Sequence, residues 1–210
     1  MKSKIKSGIG IVAVIILFLF FSWLAQSNIE LIQSLMINDA LGILVYFLTQ
    51  VGAIVIAPVT TIFLVPVAAN LWGWVFTALL SIFAWTVGAT IAFLLARKWG
   101  VPLIRHFVSL KSIYKIERKI PEEHIFITIV FLRMVIPLDI LSYALGLFSK
   151  VKLSTYILAS VIGMAPFAFV FSYMGVLPFE YQLIGWGLAG IAILIGIYFI
   201  FVRKGRSDQR

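Results

Sequence analysis

The chain has 210 residues, 62% hydrophobic and only 12% charged, with a mean hydropathy of +1.11 and no cysteine. Soluble domains carry roughly 25% charged residues, so this is the composition of an integral membrane protein, with room for at most five or six spans of about 20 residues. A large separate soluble domain within these residues, disulfides, thiolate metal sites and cysteine nucleophiles are excluded. The net charge of +9 reads as basic residues in cytoplasmic loops facing anionic lipid, not as a nucleic-acid footprint.

From the N-terminus, Lys2, Lys4 and Lys6 precede an uncharged run, Ser7 to Ile29. Ala25-Gln26-Ser27 offers small residues where a leader is cut. The apolar stretch Ile9 to Leu24 is long for a leader, and we read it as an uncleaved first helix. The next block, Ala40 to Ala96, runs 57 residues without a charged side chain. Three full spans would need about 60 residues with no loops, so three ordinary helices do not fit. Pro58 and Pro66 lie inside it, each lacking a backbone N–H and each disfavouring helical geometry at the residue before. The expected structure is a broken hairpin over about 54–72, then a full helix over 74–96.

The segment 97–124 carries seven Lys/Arg against Glu117, Glu122 and Glu123, a positive-inside loop. Leu103, Phe107, Leu110 and Tyr114 recur at spacings that suggest a helix lying on the membrane surface. Its basicity has two readings: cytoplasmic placement alone, or recognition of an anionic head group. The run 125–149 is apolar except around Arg133, Pro137 and Asp139, and Lys150 and Lys152 follow it. Two last blocks, 153–179 and 181–202, read as full helices, followed by a basic tail.

Parity sorts these pieces. If every basic cluster is cytoplasmic, the first helix leaves the cytoplasm and the 57-residue block must return with an odd number of crossings. One full helix plus a re-entrant hairpin satisfies this. The run 125–149 must begin and end on the cytoplasmic side yet is too short for two spans, so it is expected to be a second re-entrant hairpin, inserted from the opposite face. The fold class is therefore an all-α integral membrane protein, with about four full helices and two oppositely inserted hairpins in an inverted repeat. Both termini are expected in the cytoplasm. Transporters use this arrangement to build a midplane site from discontinuous helices. Three segments follow: 1–39, an anchor helix and external linker; 40–175, the core; and 176–210, a last helix and basic tail.

Non-helical backbone at membrane depth must be buried by protein or lined by water, so the hairpins should face something polar. Arg133 and Asp139 are the candidates, each costing roughly 2.5–3.5 kcal/mol at a helix centre on insertion scales. They should pair or line a wet cavity. The plainer reading is that Arg133 snorkels to the interface and Asp139 caps the returning helix. Asn70, Ser142 and Tyr143 either line the cavity or satisfy freed backbone groups. Pro58, Pro66, Pro137 and Gly146 are read as hairpin-forming. Ala84, Gly88, Ala92 and Ala96, every fourth residue, form a small-residue ribbon for close helix packing. No catalytic constellation, metal site or phosphate-cradling loop is present in the sequence, and neither an enzyme nor a cofactor is expected.

The run from Phe131 to Gly146, with Arg133, Pro137, Asp139, Tyr143 and Gly146, resembles the central motif of the DedA-like, VTT-domain superfamily, also called SNARE-associated Golgi protein-like. It is most similar to the Golgi vesicle-protein branch. Supporting similarities are Pro58 to Gly73, Ala96-Arg97-Lys98-Trp99-Gly100, and Gly163 to Gly175 with Pro166 and Tyr173. The resemblance implies two facing re-entrant hairpins and movement of phospholipid or polyprenyl phosphate across a bilayer, in some relatives coupled to protons. It implies that Arg133 holds the lipid phosphate, with Asp139 as the protonatable or charge-balancing partner. The first hairpin lacks the acidic residue of the DedA pattern, which favours passive scrambling over proton coupling. The expected function is a lipid translocator in a bacterial cell membrane, its partners membrane lipids with anionic head groups, with protons and further copies of the chain as additional candidates and no nucleic acid. An ion- or proton-coupled carrier of a small solute and a noncatalytic membrane scaffold are the alternatives.

Overall fold

The fold is that of a computed structural model, which describes residues 2–28, 30, 39–56, 61–104 and 124–188. Pro58, most of the basic loop and the basic tail lie outside these residues. Among the described residues all regular structure is helical: α1 (Lys2–Ser27), α2 (Asp39–Val55), a 3₁₀ turn (Ile62–Leu64), α3 (Val65–Trp72), α4 (Trp74–Ile104), α5 (Ile125–Val135), α6 (Leu138–Phe148) and α7 (Leu153–Val176). A last helical stretch covers 179–188.

Proline and glycine set the breaks. Pro66 sits in the first turn of α3, where its missing N–H has no intrahelical partner to lose. It thus begins a helix and is not itself the bend. Gly73 ends α3 at φ 82° and ψ 149°, a conformation that side chains disfavour, and the chain turns there into α4. Ile136 is extended (φ −111°, ψ 136°) and Pro137 (φ −51°, ψ 141°) caps α6, in keeping with proline's bias on its predecessor. Gly100 breaks α4 at φ 64°.

Among the described residues two helices are long and apolar enough to cross a membrane, Trp74–Gly100 with 27 residues and Leu153–Val176 with 24. At 1.5 Å per residue these are about 40 and 36 Å long, against a hydrocarbon core of about 30 Å. Helices α5 and α6 have 11 residues each, about 16 Å, too short to cross alone. The broken unit in the first half is longer than the sequence reading of 54–72. Its first arm is α2, 17 residues from Asp39, which beyond Asp39 contains no charge or proline to mark it.

Helix α4 packs on α2, α3, α6 and α7, while α3 and α5 also pack on α7. Missing side chains make these approaches close. A Cβ on Gly88 of α4 would lie 2.9 Å from the Val51 carbonyl oxygen of α2, and one on Gly163 of α7 would lie 2.8 Å from the Arg133 Cβ of α5. Two further contacts cross over: a Cβ on Gly146 of α6 would meet the Phe93 oxygen of α4, and one on Gly175 of α7 would meet Pro66 Cα of α3 at 2.6 Å. The Ala84, Gly88, Ala92, Ala96 ribbon is accordingly buried, a seam for α2 at Gly88 and for α6 at Ala96.

Gly146, read from the sequence as hairpin-forming, lies inside α6 rather than at a turn, and its role is contact with α4. Gly146→Val is expected to destabilise the detergent-solubilised protein by about 3 kcal/mol, because the atoms it meets are backbone and the Cβ of Ala96. Thermal unfolding checks this. Gly52→Ala, which would meet nothing within 4 Å, is expected to leave the midpoint unchanged or slightly raised.

Candidate functional site

Arg133 occupies the last turn of α5, where a cation is favoured by the helix dipole. Its side chain turns inward and is only 3% exposed. Nε donates to Ser160 Oγ at 3.2 Å, Nη1 to the Leu138 carbonyl at 2.9 Å and Ser142 Oγ at 3.1 Å, and Nη2 to Tyr156 Oη at 2.7 Å and Ser160 Oγ at 2.9 Å. A guanidinium has five N–H donors, so this network takes them all, tying α5 to α6 and α7. Tyr156 passes the chain on by donating to the Ala89 carbonyl of α4 at 2.9 Å. Its ring stacks on Phe93, centroids 4.1 Å apart, and the Arg133 Cζ lies 5.3 Å from it. On the far side of this stack Arg97 sits 4.3 Å from the Phe93 centroid and donates to the Ser149 and Val151 carbonyls beyond α6.

Asp139 lies in the first turn of α6, where a negative charge is favoured by the helix dipole. Arg133 and Asp139 feel each other's charge, but among the described residues they do not form a salt bridge. Both instead line a cavity of about 570 Å³, within the range of about 300–1,000 Å³ usual for small-molecule sites. Gln50, Thr61 and Trp85 give the cavity further polar groups, and Pro137 also lines it. Met134, Ile136, Met164, Phe167 and Phe171 make an apolar wall.

Two residues read from the sequence as site candidates are placed elsewhere. Tyr143 is fully buried, and its hydroxyl donates to the Val55 carbonyl at the end of α2 at 2.6 Å. Asn70 donates to the Pro66 and Gly175 carbonyls, both at 2.8 Å. Gly175 also accepts from Ser22 and Gln26 of α1, so Asn70 belongs to a cluster satisfying the carbonyls left open at the end of α7. Neither lines the cavity. Gln50, Thr61, Trp85, Tyr156 and Ser160 went unmarked in the sequence. A signal was present for two of them: Tyr156, Ser160 and Gly163 follow one another at steps of four and three, one face of a helix opposite a buried arginine.

The VTT domain model matches residues 57–177, more than half of the chain, and the chain belongs to the VTT-domain family. With its two membrane-length apolar helices it is a membrane protein of DedA type. No curated protein and no solved structure is matched. The matched range takes in Arg133, Asp139 and most of the cavity wall, but begins after Gln50, Ala53 and Ile54.

Proposed function

We propose that the protein translocates lipids, with the head group of a phospholipid or polyprenyl phosphate crossing through the cavity while its acyl chains stay in the bilayer. The observation that carries this is Arg133, a charge buried to 97% without a carboxylate in contact, on the wall of a 570 Å³ cavity that is otherwise largely apolar. Burying such a cation costs several kcal/mol, and an anionic occupant offsets that cost. In this reading α2–α3 and α5–α6 are re-entrant hairpins opening from opposite faces among four full helices. The matched glycine contacts, with α2 and α5 each seated on its own long helix and α3 and α6 each crossing to the other's, support an inverted repeat. The basic clusters support cytoplasmic termini by the positive-inside bias, in this reading in a bacterial cell membrane, and the Arg133-to-Gly146 pattern supports the Golgi vesicle-protein branch. Among the described residues Asp139 is the single carboxylate on the cavity wall, which supports passive movement of the scramblase type.

The test is reconstitution into liposomes holding a head-group-labelled phospholipid, with label accessibility followed by a membrane-impermeant quencher. The protein should raise the crossing rate at least tenfold above protein-free liposomes, with no applied ion gradient. A rate equal to that of protein-free liposomes overturns the reading, and uptake of a small solute in its place would make the protein a carrier.

A further inference from the structure

Gln50 lies on α2 and is 1% exposed. Its Oε1 accepts two hydrogen bonds, from Thr61 Oγ1 at 2.5 Å and from Trp85 Nε1 at 3.2 Å. An indole N–H can only donate, so the amide is held in one orientation: turned over, its Nε2 would face that donor. Both N–H groups of Nε2 are thereby directed away from Thr61 and Trp85, and Nε2 has no hydrogen-bond partner within the protein. The Tyr46 hydroxyl lies near the amide but is bonded to Ser81 at 2.7 Å and makes no hydrogen bond with Nε2. A buried donor left unmade carries its full desolvation cost, which an apolar residue of the same length would avoid.

Gln50, Thr61 and Trp85 line the same cavity as Arg133 and Asp139. The two halves of the cavity wall offer complementary things. Arg133 supplies positive charge, but its N–H donors are engaged within the protein; Gln50 supplies buried, unpartnered donors without charge. An occupant satisfying both is anionic and accepts hydrogen bonds, as phosphate oxygens do; an amine or a neutral hydroxyl compound satisfies at most one. We infer that Gln50 Nε2 donates directly to a phosphate oxygen of the cavity's occupant, while Arg133 holds that phosphate by its field. The contact rests on the lipid reading above only for the source of the phosphate.

Binding to the full chain in detergent tests this by calorimetry, with three probes: dihexanoyl phosphatidic acid, dihexanoylglycerol without phosphate, and glycerol 3-phosphate without chains. Gln50→Met keeps the length and removes the donors. It should weaken phosphatidic acid binding about tenfold, the scale of one good hydrogen bond to a charged group, and leave dihexanoylglycerol unaffected. Gln50→Glu, which keeps an oxygen for Thr61 and Trp85, should lose at least as much and serves if the Met variant does not fold. Equal phosphatidic acid affinity in native and variant proteins overturns the contact and leaves lipid translocation standing. The contact is also overturned if the native protein binds neither phosphate probe, or if Tyr46→Phe loses as much as Gln50→Met, since the amide would then serve Tyr46. Glycerol 3-phosphate bound as tightly as phosphatidic acid, and weakened equally by Gln50→Met, keeps the contact and removes the lipid as its source.

Discussion

Arg133→Met should leave the protein at least as stable as the native chain and stop lipid translocation. The guanidinium is buried without a carboxylate in contact, and replacing a buried charge by an apolar residue of similar volume is often neutral or stabilising. Two of its neighbours keep other bonds, Tyr156 to the Ala89 carbonyl and Ser142 to the Leu138 carbonyl, while Ser160 loses the two it accepts from the arginine. Arg133→Lys should behave differently. An ammonium on a flexible stem has three donors for acceptors spread over α6 and α7, so at least two of the five bonds are lost, costing about 2–4 kcal/mol. It keeps the charge and hence part of the translocation rate. Thermal unfolding in detergent, read beside proteoliposome rates, separates the two effects. A large drop in the unfolding midpoint of Arg133→Met would make the arginine a structural strut.

The second large effect is expected from one added methyl group. Gly163→Ala puts a Cβ 2.8 Å from the Arg133 Cβ and 3.0 Å from the Val130 carbonyl oxygen, so α5 and α7 must separate by several tenths of an ångström. That separation falls where the Arg133 side chain leaves its helix, three residues from Ser160, which takes two of its bonds. Translocation should fall about tenfold, with a stability loss of about 1–3 kcal/mol typical of overpacking. Gly187→Ala meets nothing within 4 Å and should leave both quantities unchanged. Equal rates in the two variants would mean that the Arg133 position does not control the path.

What the sequence disclosed follows from where its punctuation was strong. Charge made the membrane class plain, and Pro137 marked the break between α5 and α6 because a proline constrains its own φ and its predecessor. Arg133 and Asp139 stood out because charges in an apolar run are costly. Gly146 and Pro66 were misread because local rules see a turn-former or helix-breaker, whereas the fold uses one for its lack of a side chain and the other at a helix start. Tyr143 and Asn70 were near the right segments, but Tyr143 donates to the Val55 carbonyl and Asn70 to the Gly175 carbonyl as well as to its own helix at Pro66, and no spacing rule reveals the distant acceptors. Gln50 was hidden because its partners Thr61 and Trp85 lie 11 and 35 residues away, although it is one of only two carboxamides in the 57-residue uncharged block.

Occupancy of the cavity by a lipid head group is tested most directly by photo-crosslinking in bilayers. A phospholipid carrying a diazirine on its head group is irradiated with the full chain, and the adducts are mapped by mass spectrometry. Adducts should concentrate on the cavity wall, at Gln50 to Ile54 and Met134 to Ile140, and should disappear from both in Arg133→Met. Adducts confined to exposed outer residues such as Leu79, Phe83 and Leu158, with the cavity wall unlabelled, would contradict a head-group path through the cavity.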